Sequence, residues 1–354
     1  MAALKMPSLR IACYNIAWFT RLFNHRSQLI LDRQPSAIRG VDRTRQAEAI
    51  ALVLRAVDAD CVAVIEAPNT GRRKSCVTQL QNFASHFGLR QSAALVGFES
   101  HTRQEIALLF DPARLTAEHS PVDGGADAPR FDRPFIADLD RDGEEGNYLF
   151  SKPPLEAMVA DHETGLSFRM IAVHLKSKGP EKRGTEAEKR QRGLANRAKQ
   201  YAQATWLRAR LKGHLAAREP VVTLGDFNDG PGMDPLERVS GRSSVEMVAG
   251  DPARPEAMLR HPFNGSKIDP AMPRATARFY KARKRRHLHA LLDFVMLSPD
   301  LAARTRPAWR IWHAEQDAEL AHDGPLRQAL LDASDHFPVS VDLDLGGVNG
   351  RKSD

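Results

Sequence analysis

The chain has 354 residues, of which 42% are hydrophobic, and a formal net charge of +7. That apolar share excludes a disordered chain, and the length allows one large domain or two smaller ones. A basic balance favours acidic partners such as nucleic acid or anionic lipid headgroups, although a solvated basic surface would produce the same charge.

Cysteine usage and hydropathy bear on the compartment. The three cysteines, Cys13, Cys61 and Cys76, form no CxxC pair, which is typical of a reducing compartment and excludes a thiolate zinc site. No apolar stretch approaches the ~20 residues that span a bilayer, and residues 1–10 lack the apolar segment of a signal peptide. We therefore expect a soluble, cytoplasmic protein without a transmembrane segment.

Hydrophobic periodicity predicts strands and helices that alternate irregularly. The predicted strands cover residues 9–19, 61–65, 106–110, 166–175, 221–224, 291–297 and 338–343. The predicted helices cover residues 42–57, 77–87 and 181–217. Residues 123–147 are rich in Gly, Asp and Pro and predict a loop. Without a dividing linker, we expect one layered α/β or α+β domain over residues 8–345 and a disordered tail over 346–354.

Polar side chains recur at the ends of these apolar runs. They are Asn15, Glu66, His174, Asp226 with Asn228, Asp293, and Asp335 with His336. One such residue is most simply a polar cap on a strand, but so many favour a shared site. An unpaired carboxylate is costly in a core, and open α/β sheets place their chemistry where strands end.

The residue types suit metal-assisted phosphoester hydrolysis. Mg²⁺ takes oxygen ligands and needs only one or two protein carboxylates, a role that fits Glu66, with the Asn15 amide nearby. Asp226 is suited to polarise a water and Asn228 to hold it. His336 and His174 are donors for a charged phosphate, and Asp293 is suited to orient His336.

The motifs Tyr-Asn15-Ile, Ile-Glu66, His174-Leu-Lys-Ser-Lys, Gly-Asp226-Phe-Asn228-Asp, Leu-Asp293-Phe-Val and Ser-Asp335-His336-Phe-Pro-Val occur in this order. Together they resemble the endonuclease/exonuclease/phosphatase superfamily, which includes DNase I. The resemblance spans roughly residues 9 to 343. It implies a DNase I-like, four-layer sandwich of two mixed β-sheets flanked by helices.

The resemblance also implies roles for individual residues. Glu66 would be the principal ligand of Mg²⁺, with Mn²⁺ as a substitute, and Asn15 and Asp335 would lie near the metal. Asp226 would activate water, with Asn228 contacting the phosphate. Asp293 and His336 would form an acid–base pair, and His174 would contact the scissile phosphate, as in the DNase-like branch.

Further residues are weaker candidates. Glu105 is expected to orient His174, as an acidic residue does in DNase I. Four cations are candidates for substrate phosphate, because they follow His174 or lie in the basic run 281–286: Lys176, Lys178, Arg283 and Arg286. Two departures from the family pattern are Ala17, where some members have Asp, and Lys152, where many have Arg.

Three functions remain open from the sequence. The first is a Mg²⁺-dependent nuclease that cleaves DNA or RNA by direct attack of an activated water. The second is a phosphatase or phosphodiesterase acting on a lipid headgroup, an inositol phosphate or another small phosphoester. The third is a catalytically idle binding scaffold, which the complete set of polar residues disfavours.

Overall fold

The computed structural model describes residues 8–139, 143–179, 184–231, 241–264, 269–281 and 285–346. The strands in this part are β1 (Ser8–Asn15), β2 (Cys61–Pro68), β3 (Ala93–Val96), β4 (Gln104–Phe110), β5 (Leu115–His119), β6 (Phe135–Ala137), β7 (Gly146–Tyr148), β8 (Leu155–Asp161), β9 (Ser167–His174), β10 (Val221–Asp226), β11 (Ala277–Lys281), β12 (Arg286–Ala290), β13 (Asp293–Leu297), β14 (Ala308–Ile311) and β15 (Val339–Asp344). The α-helices are α1 (Arg43–Val57), α2 (Cys76–Phe87), α3 (Glu186–Ala216), α4 (Ser244–Ala249), α5 (Pro299–Thr305), α6 (Ala318–His322) and α7 (Gly324–Ala333).

Two mixed sheets form the centre of the molecule. A six-stranded sheet has the order β14-β15-β1-β2-β4-β3, and a five-stranded sheet has the order β13-β10-β9-β8-β5. Each contains one parallel pair, β1 with β2 and β9 with β10, among antiparallel neighbours. The hairpins β11-β12 and β6-β7 stand outside these sheets.

The alternation of side chains along the strands builds four layers. In β1, Ile11 and Cys13 belong to a core that also contains Val222 and Leu224 of β10, so this core lies between the sheets. Tyr14 belongs to the opposite core, shared with α1, α2 and α7. A third core joins the outer face of the five-stranded sheet to α3 and α4. The predicted four-layer α/β sandwich is confirmed.

Side-chain caps set the helix starts. The Asp42 carboxylate accepts from the N–H of Arg45 and begins α1 at residue 43, one residue after the predicted start. Thr185 and Glu188 form a capping box at the start of α3. The predicted helix over 181–217 is therefore confirmed from Glu186 to Ala216.

Strand β8 was not predicted, because its sequence carries a buried charge. Glu156 is fully buried, and its carboxylate accepts from the Arg210 guanidinium at 2.6 Å and lies 3.4 Å from both Arg169 and His214. Burial raises the pKa of Glu156, but His214 and Arg210 outweigh burial and the pKa is lowered. This ion cluster joins β8 and β9 to α3.

Some predicted segments differ from the structure. The strand predicted over 9–19 ends at Asn15, and Trp18, with φ of 48°, leads into a 3₁₀ helix over Phe19–Leu22. The predicted loop over 123–147 contains the short strands β6 and β7. Residues 347–354 of the predicted tail lie outside the described residues. Within the described ranges, no helix is long and apolar enough to cross a membrane.

Candidate active site

The five-stranded sheet aligns three polar residues at one edge. Asp226 ends β10 and pairs in register with His174 of the parallel strand β9. On its other side it pairs with Asp293, the first residue of the antiparallel strand β13. Strand register therefore brings together residues that are separated by 119 positions in the sequence, from 174 to 293.

The six-stranded sheet contributes Asn15 and Glu66 at its adjoining end. Asn15 is the last residue of β1 and is 2% exposed, and its amide nitrogen donates to Asp226 Oδ2 at 2.9 Å. Glu66 has φ of 60° and lies where the β2–β4 register shifts between Ile65 and Ala67. Such an irregularity re-aims a side chain, and Glu66 Oε2 accepts from the N–H of Trp18 at 2.9 Å.

Ser334 ties the C-terminal motif to the end of β1. Its hydroxyl donates to the carbonyl of Asn15 at 2.7 Å and accepts from the N–H of Ala17 at 3.0 Å. The same oxygen accepts from the N–H of His336 at 3.2 Å. These contacts fix residues 334–336 beside Asn15, although more than three hundred positions separate them.

His336 and Asp293 form a buried pair. His336 Nδ1 lies 2.8 Å from Asp293 Oδ2. Burial lowers the pKa of His336, but the Asp293 carboxylate and other nearby acids raise it to about 10, so the imidazole is charged at neutral pH. The Thr276 hydroxyl donates to the same Asp293 oxygen at 2.7 Å and accepts from the N–H groups of Leu292 and Asp293.

Asp226 is suited to accept a proton. Burial and the Asp293 charge raise its pKa to about 7, against the opposing effect of His336. Asp226 Oδ1 accepts from the N–H of Asn228 at 2.7 Å, and the Asn228 amide nitrogen donates to Asp226 Oδ2 at 3.2 Å. A carboxyl whose pKa lies near the working pH is matched to general-base catalysis.

His174 is held in its neutral form. Burial and the Lys152 charge lower its pKa well below the ordinary value. Lys152 Nζ lies 3.1 Å from His174 Nδ1 and 2.5 Å from Gln104 Oε1. Because an ammonium only donates hydrogen bonds, Nδ1 is the acceptor, and the Nε2 atom, which carries the proton, lies 3.6 Å from Asp226 Oδ2.

The expectation for Glu105 is corrected. Its carboxylate accepts from the backbone N–H groups of Thr70 and Ser100, both at 3.2 Å. Adjacent residues of a strand point to opposite faces, and it is Gln104 that reaches toward His174, through Lys152. Glu105 therefore holds two loops instead of the imidazole.

Several oxygens at this site fit a divalent cation. Asn15 Oδ1 and Asp293 Oδ1 are buried with no hydrogen-bond partner among the described residues, and such orphaned acceptors are uncommon in folded proteins. Burial raises the pKa of Glu66, and the Asp335 charge adds to the rise, which places two carboxylates close together. An Asn, Glu and Asp oxygen set fits a hard cation such as Mg²⁺.

A second grouping, Asp226, Asp293 and His336, has potential ligand atoms within 4.8 Å of one another. His336 fits a metal poorly there, because the Asp293 charge raises its pKa to about 10 and keeps it protonated. A protonated ring nitrogen cannot coordinate. The oxygen set around Glu66 is therefore the better candidate.

The four candidate phosphate-binding cations lie in different settings. Lys176 lines a cavity of about 440 Å³ together with Lys199. Lys178 forms an ion pair with the buried Asp229 carboxylate, so it already has an internal counterion. Arg286 is exposed on β12, and Arg283 lies outside the described residues.

Sequence reasoning missed Thr276 and Ser334 as positioning residues, and it noted Lys152 only as a departure. Single hydroxyls in loops carry no periodic signal. The position of Lys152 before Pro153 and Pro154 was the available signal, because many family members place a cation there.

Comparison with known proteins identifies the family. Residues 13–336 match the Endonuclease/Exonuclease/phosphatase family, and the chain belongs to that family, whose members are generally phosphoester hydrolases. A comparison with curated proteins found no match.

Solved structures show the same fold at low sequence identity. A family protein from Bacteroides thetaiotaomicron is similar at 15% identity and a TM-score of 0.50, over 96% of this chain and 98% of that one. One from Beutenbergia cavernae is similar at 18% identity and a TM-score of 0.50, over 96% and 72%. TDP2 from C. elegans is similar at 12% identity and a TM-score of 0.50, over 95% and 75%.

Proposed function

We propose that this protein is a Mg²⁺-dependent nuclease that hydrolyses phosphodiester bonds of DNA or RNA by direct attack of an activated water. The proposal rests on the contacts of Asp226. Its carboxylate accepts hydrogen bonds from Asn15 and Asn228, and it lies beside Asp293, which is paired with His336. An idle scaffold would have no use for a neutral histidine, a charged histidine and a carboxyl of raised pKa at one point.

Each residue has a distinct role in the proposed reaction. Asp226, with a pKa near 7, takes the proton of the attacking water, and Asn228 holds Asp226 in place. His336 stays charged because of Asp293 and donates to a phosphate oxygen as negative charge develops there. His174 donates from Nε2 to the scissile phosphate, while Lys152 fixes its tautomer.

We assign metal binding to Glu66, Asn15 and Asp335. A bound Mg²⁺ supplies Lewis-acid stabilisation of a phosphoryl oxygen. The orphaned Asn15 Oδ1 and the raised pKa of Glu66 support this assignment. Mn²⁺, which has similar ligand preferences, is the expected substitute.

Nucleic acid as the substrate is supported by cations beside the site. The β11-β12 hairpin is attached to the catalytic segment: the N–H of Arg278 donates to the carbonyl of Asp335 at 2.7 Å, and Ala277 bridges to His336. The hairpin carries Lys281 and Arg286 with exposed side chains. Cations along such a surface neutralise backbone phosphates.

The first test is nicking of supercoiled plasmid by the wild type and by Asp226→Ala, with Mg²⁺ and with chelator. We expect metal-dependent nicking by the wild type and a loss of about 10²- to 10⁴-fold in the variant. Asp127→Asn, which changes an exposed loop carboxylate, is the matched control and should keep full activity.

Other outcomes redirect the assignment. Hydrolysis of inositol phosphates or lipid headgroups without any nicking would favour the small-phosphoester alternative. A melting temperature that falls as sharply as the activity in Asp226→Ala would make Asp226 structural.

We also propose a single domain over residues 8–345 and a cytoplasmic location. The core shared by the two sheets supports the first. The three buried, unpaired cysteines support the second.

A further inference from the structure

Trp18 differs from the other three tryptophans of the chain. Trp206, Trp309 and Trp312 each donate from the indole nitrogen to a protein acceptor, at 2.8, 2.9 and 3.0 Å respectively. Trp18 is 48% exposed. Among the described residues, its indole nitrogen has no hydrogen-bond acceptor, its ring contacts no other aromatic ring, and no Lys or Arg cation lies over it.

The backbone of Trp18 is fixed by hydrogen bonds on both sides of its peptide unit. Its φ of 48° lies in the left-handed region, where a bulky residue is a clear outlier. Its N–H donates to Glu66 Oε2, and its carbonyl accepts from the N–H of Arg21 at 2.9 Å. Such strained positions persist where neighbouring contacts enforce them, and they cluster at functional sites.

The preceding and following residues are anchored. Ala17 donates from its N–H to the Ser334 hydroxyl, and its carbonyl accepts from the Gln46 amide. Phe19 is buried in the core that the six-stranded sheet shares with α1, α2 and α7. The indole is therefore attached to a rigid stretch of backbone. Trp18 lies three residues after Asn15, and its backbone N–H donates to Glu66, the proposed metal ligand. An aromatic face held in this way is preorganised for contact with a substrate.

We infer that Trp18 is a stacking platform for the nucleobase next to the scissile phosphate of a single-stranded nucleic acid. The inference rests on the proposed function and adds to it a base-contacting residue. Single-strand-binding proteins combine a cationic path for the backbone with aromatic rings on which bases stack. Lys152 and Lys176 supply positive charge near the catalytic residues, since both lower the pKa of His174, and Trp18 supplies the ring.

The test compares Trp18→Ala and Trp18→Phe with the wild type on two substrates. One is a single-stranded thymidine oligonucleotide, and the other has the same phosphate backbone with abasic tetrahydrofuran units in place of the nucleosides. We expect Trp18→Ala to lower kcat/KM on the oligonucleotide by about 5- to 150-fold, with Trp18→Phe intermediate. Neither variant should change the slower cleavage of the abasic substrate.

The control variant is Leu52→Ala, which truncates an exposed apolar residue of α1 and should change neither rate. Thermal melting identifies any variant that has lost structure. If Trp18→Ala is folded and cleaves the oligonucleotide as fast as the wild type, the inference is wrong while the nuclease proposal stands. If the wild type cleaves no nucleic acid, the proposed function itself has failed.

A binding readout is independent of catalysis. In chelator, the oligonucleotide should quench tryptophan fluorescence of the wild type, and Trp18→Phe should abolish the quenching, because the other three indoles are bonded within the protein. The abasic strand should quench little. Quenching by anionic phospholipid vesicles but not by the oligonucleotide would overturn the inference and would point to a membrane contact instead.

Discussion

At the residue scale, the candidate site depends on the Thr276 hydroxyl, which no sequence motif marks. Thr276 uses all of its hydrogen-bonding capacity on the Asp293 side of the site: it donates to the Asp293 carboxylate and accepts from two backbone N–H groups. It has no substrate contact of its own in this arrangement, so it acts as a positioning residue. Its effect on catalysis would pass through Asp293 to His336.

Thr276→Val keeps the shape of the side chain and removes the hydroxyl. We expect a lower free energy of unfolding, by about 1–3 kcal/mol, because two buried N–H donors lose their acceptor. We also expect kcat to fall with little change in KM, since the group orients a residue that acts on the transition state. Thr276→Ser keeps the hydroxyl and should keep the wild-type kcat. Denaturant unfolding measures the change in stability, and steady-state kinetics measures the change in kcat and KM.

A purely structural role would give a different pattern. In that case Thr276→Val would lower stability while the folded fraction kept the wild-type kcat. The pattern expected here is a loss of kcat per folded molecule that the hydroxyl of serine repairs.

At the element scale, β10 can lie against β9 only because residue 225 is glycine. Gly225 has φ of 129°, and a Cβ there would meet the Val173 carbonyl oxygen at 2.1 Å. The pairing of these two strands also sets Asp226 beside His174. The residue before the proposed catalytic carboxylate, Asp226, is therefore constrained by sheet geometry.

Gly225→Ala should destabilise the fold by about 3 kcal/mol or more, because steric clash adds to backbone strain. Gly213→Ala is the matched control: it lies within α3, and its Cβ would meet open space. There alanine should stabilise by about 0.5–1 kcal/mol. Equal melting temperatures for the two variants would contradict the close approach of β9 and β10.

The β11-β12 hairpin is the element proposed to bind phosphates. Replacing Lys281, Arg285 and Arg286 by Gln should weaken binding of oligonucleotides of any sequence and flatten the salt dependence. The slope of log K against log salt should fall in magnitude by about 0.7–0.9 for each phosphate that the variant no longer neutralises. Fluorescence anisotropy over a salt series measures this slope.

The control for the hairpin replaces cations at the other end of the sheet. Lys212 lies near the C-terminal end of α3. Arg304 lies in α5, which follows the end of β13 opposite to Asp293. Gln at both positions removes positive charge without touching the hairpin. An equal flattening of the slope in both sets would assign the effect to net charge instead of to the hairpin.

At the scale of the whole molecule, buried histidines predict how stability depends on pH. Burial lowers the pKa of His261 from 6.5 to about 4, and its ring packs edge-on against Phe294 at 5.5 Å. The unfolded chain takes up this proton at a higher pH than the folded chain does. The stability from neutral His261 is therefore complete above pH 6.5 and is lost as the pH falls toward 4.

The expected slope is about 1.4 kcal/mol per pH unit for each such histidine. His261→Gln should reduce the loss of unfolding free energy between pH 6.5 and 5 by roughly 2 kcal/mol, whatever its effect at neutral pH. His313, whose pKa burial also lowers to about 4, should behave alike in His313→Gln. An unaltered pH slope in both variants, measured by urea unfolding, would contradict this account.

The sequence predicted the fold where the signals are local. Apolar runs followed by Asn15, His174 and Asp226 marked strand ends, and each of these residues ends its strand. Glu66 was expected at a strand end too, but it lies at a register shift within β2. Sequence reasoning missed β8, because a glutamate such as Glu156 is typical of an exposed position. Its burial depends on Arg210 of the distant helix α3, which neutralises the carboxylate. Sequence reasoning also missed the proximity of Lys152 to His174 and misplaced Glu105, because a shift of one residue in strand register reverses which side chain faces the site.

The pairing of the first strand with the last has a consequence for synthesis. β1 lies between β2 and β15, with Ser8 opposite Asp344, so β1 gains one of its two neighbours only when the end of the domain has emerged from the ribosome. Asn15 likewise meets Ser334 only then. A nascent chain exposes that strand edge until then, and the candidate site can be assembled only in one late step of synthesis.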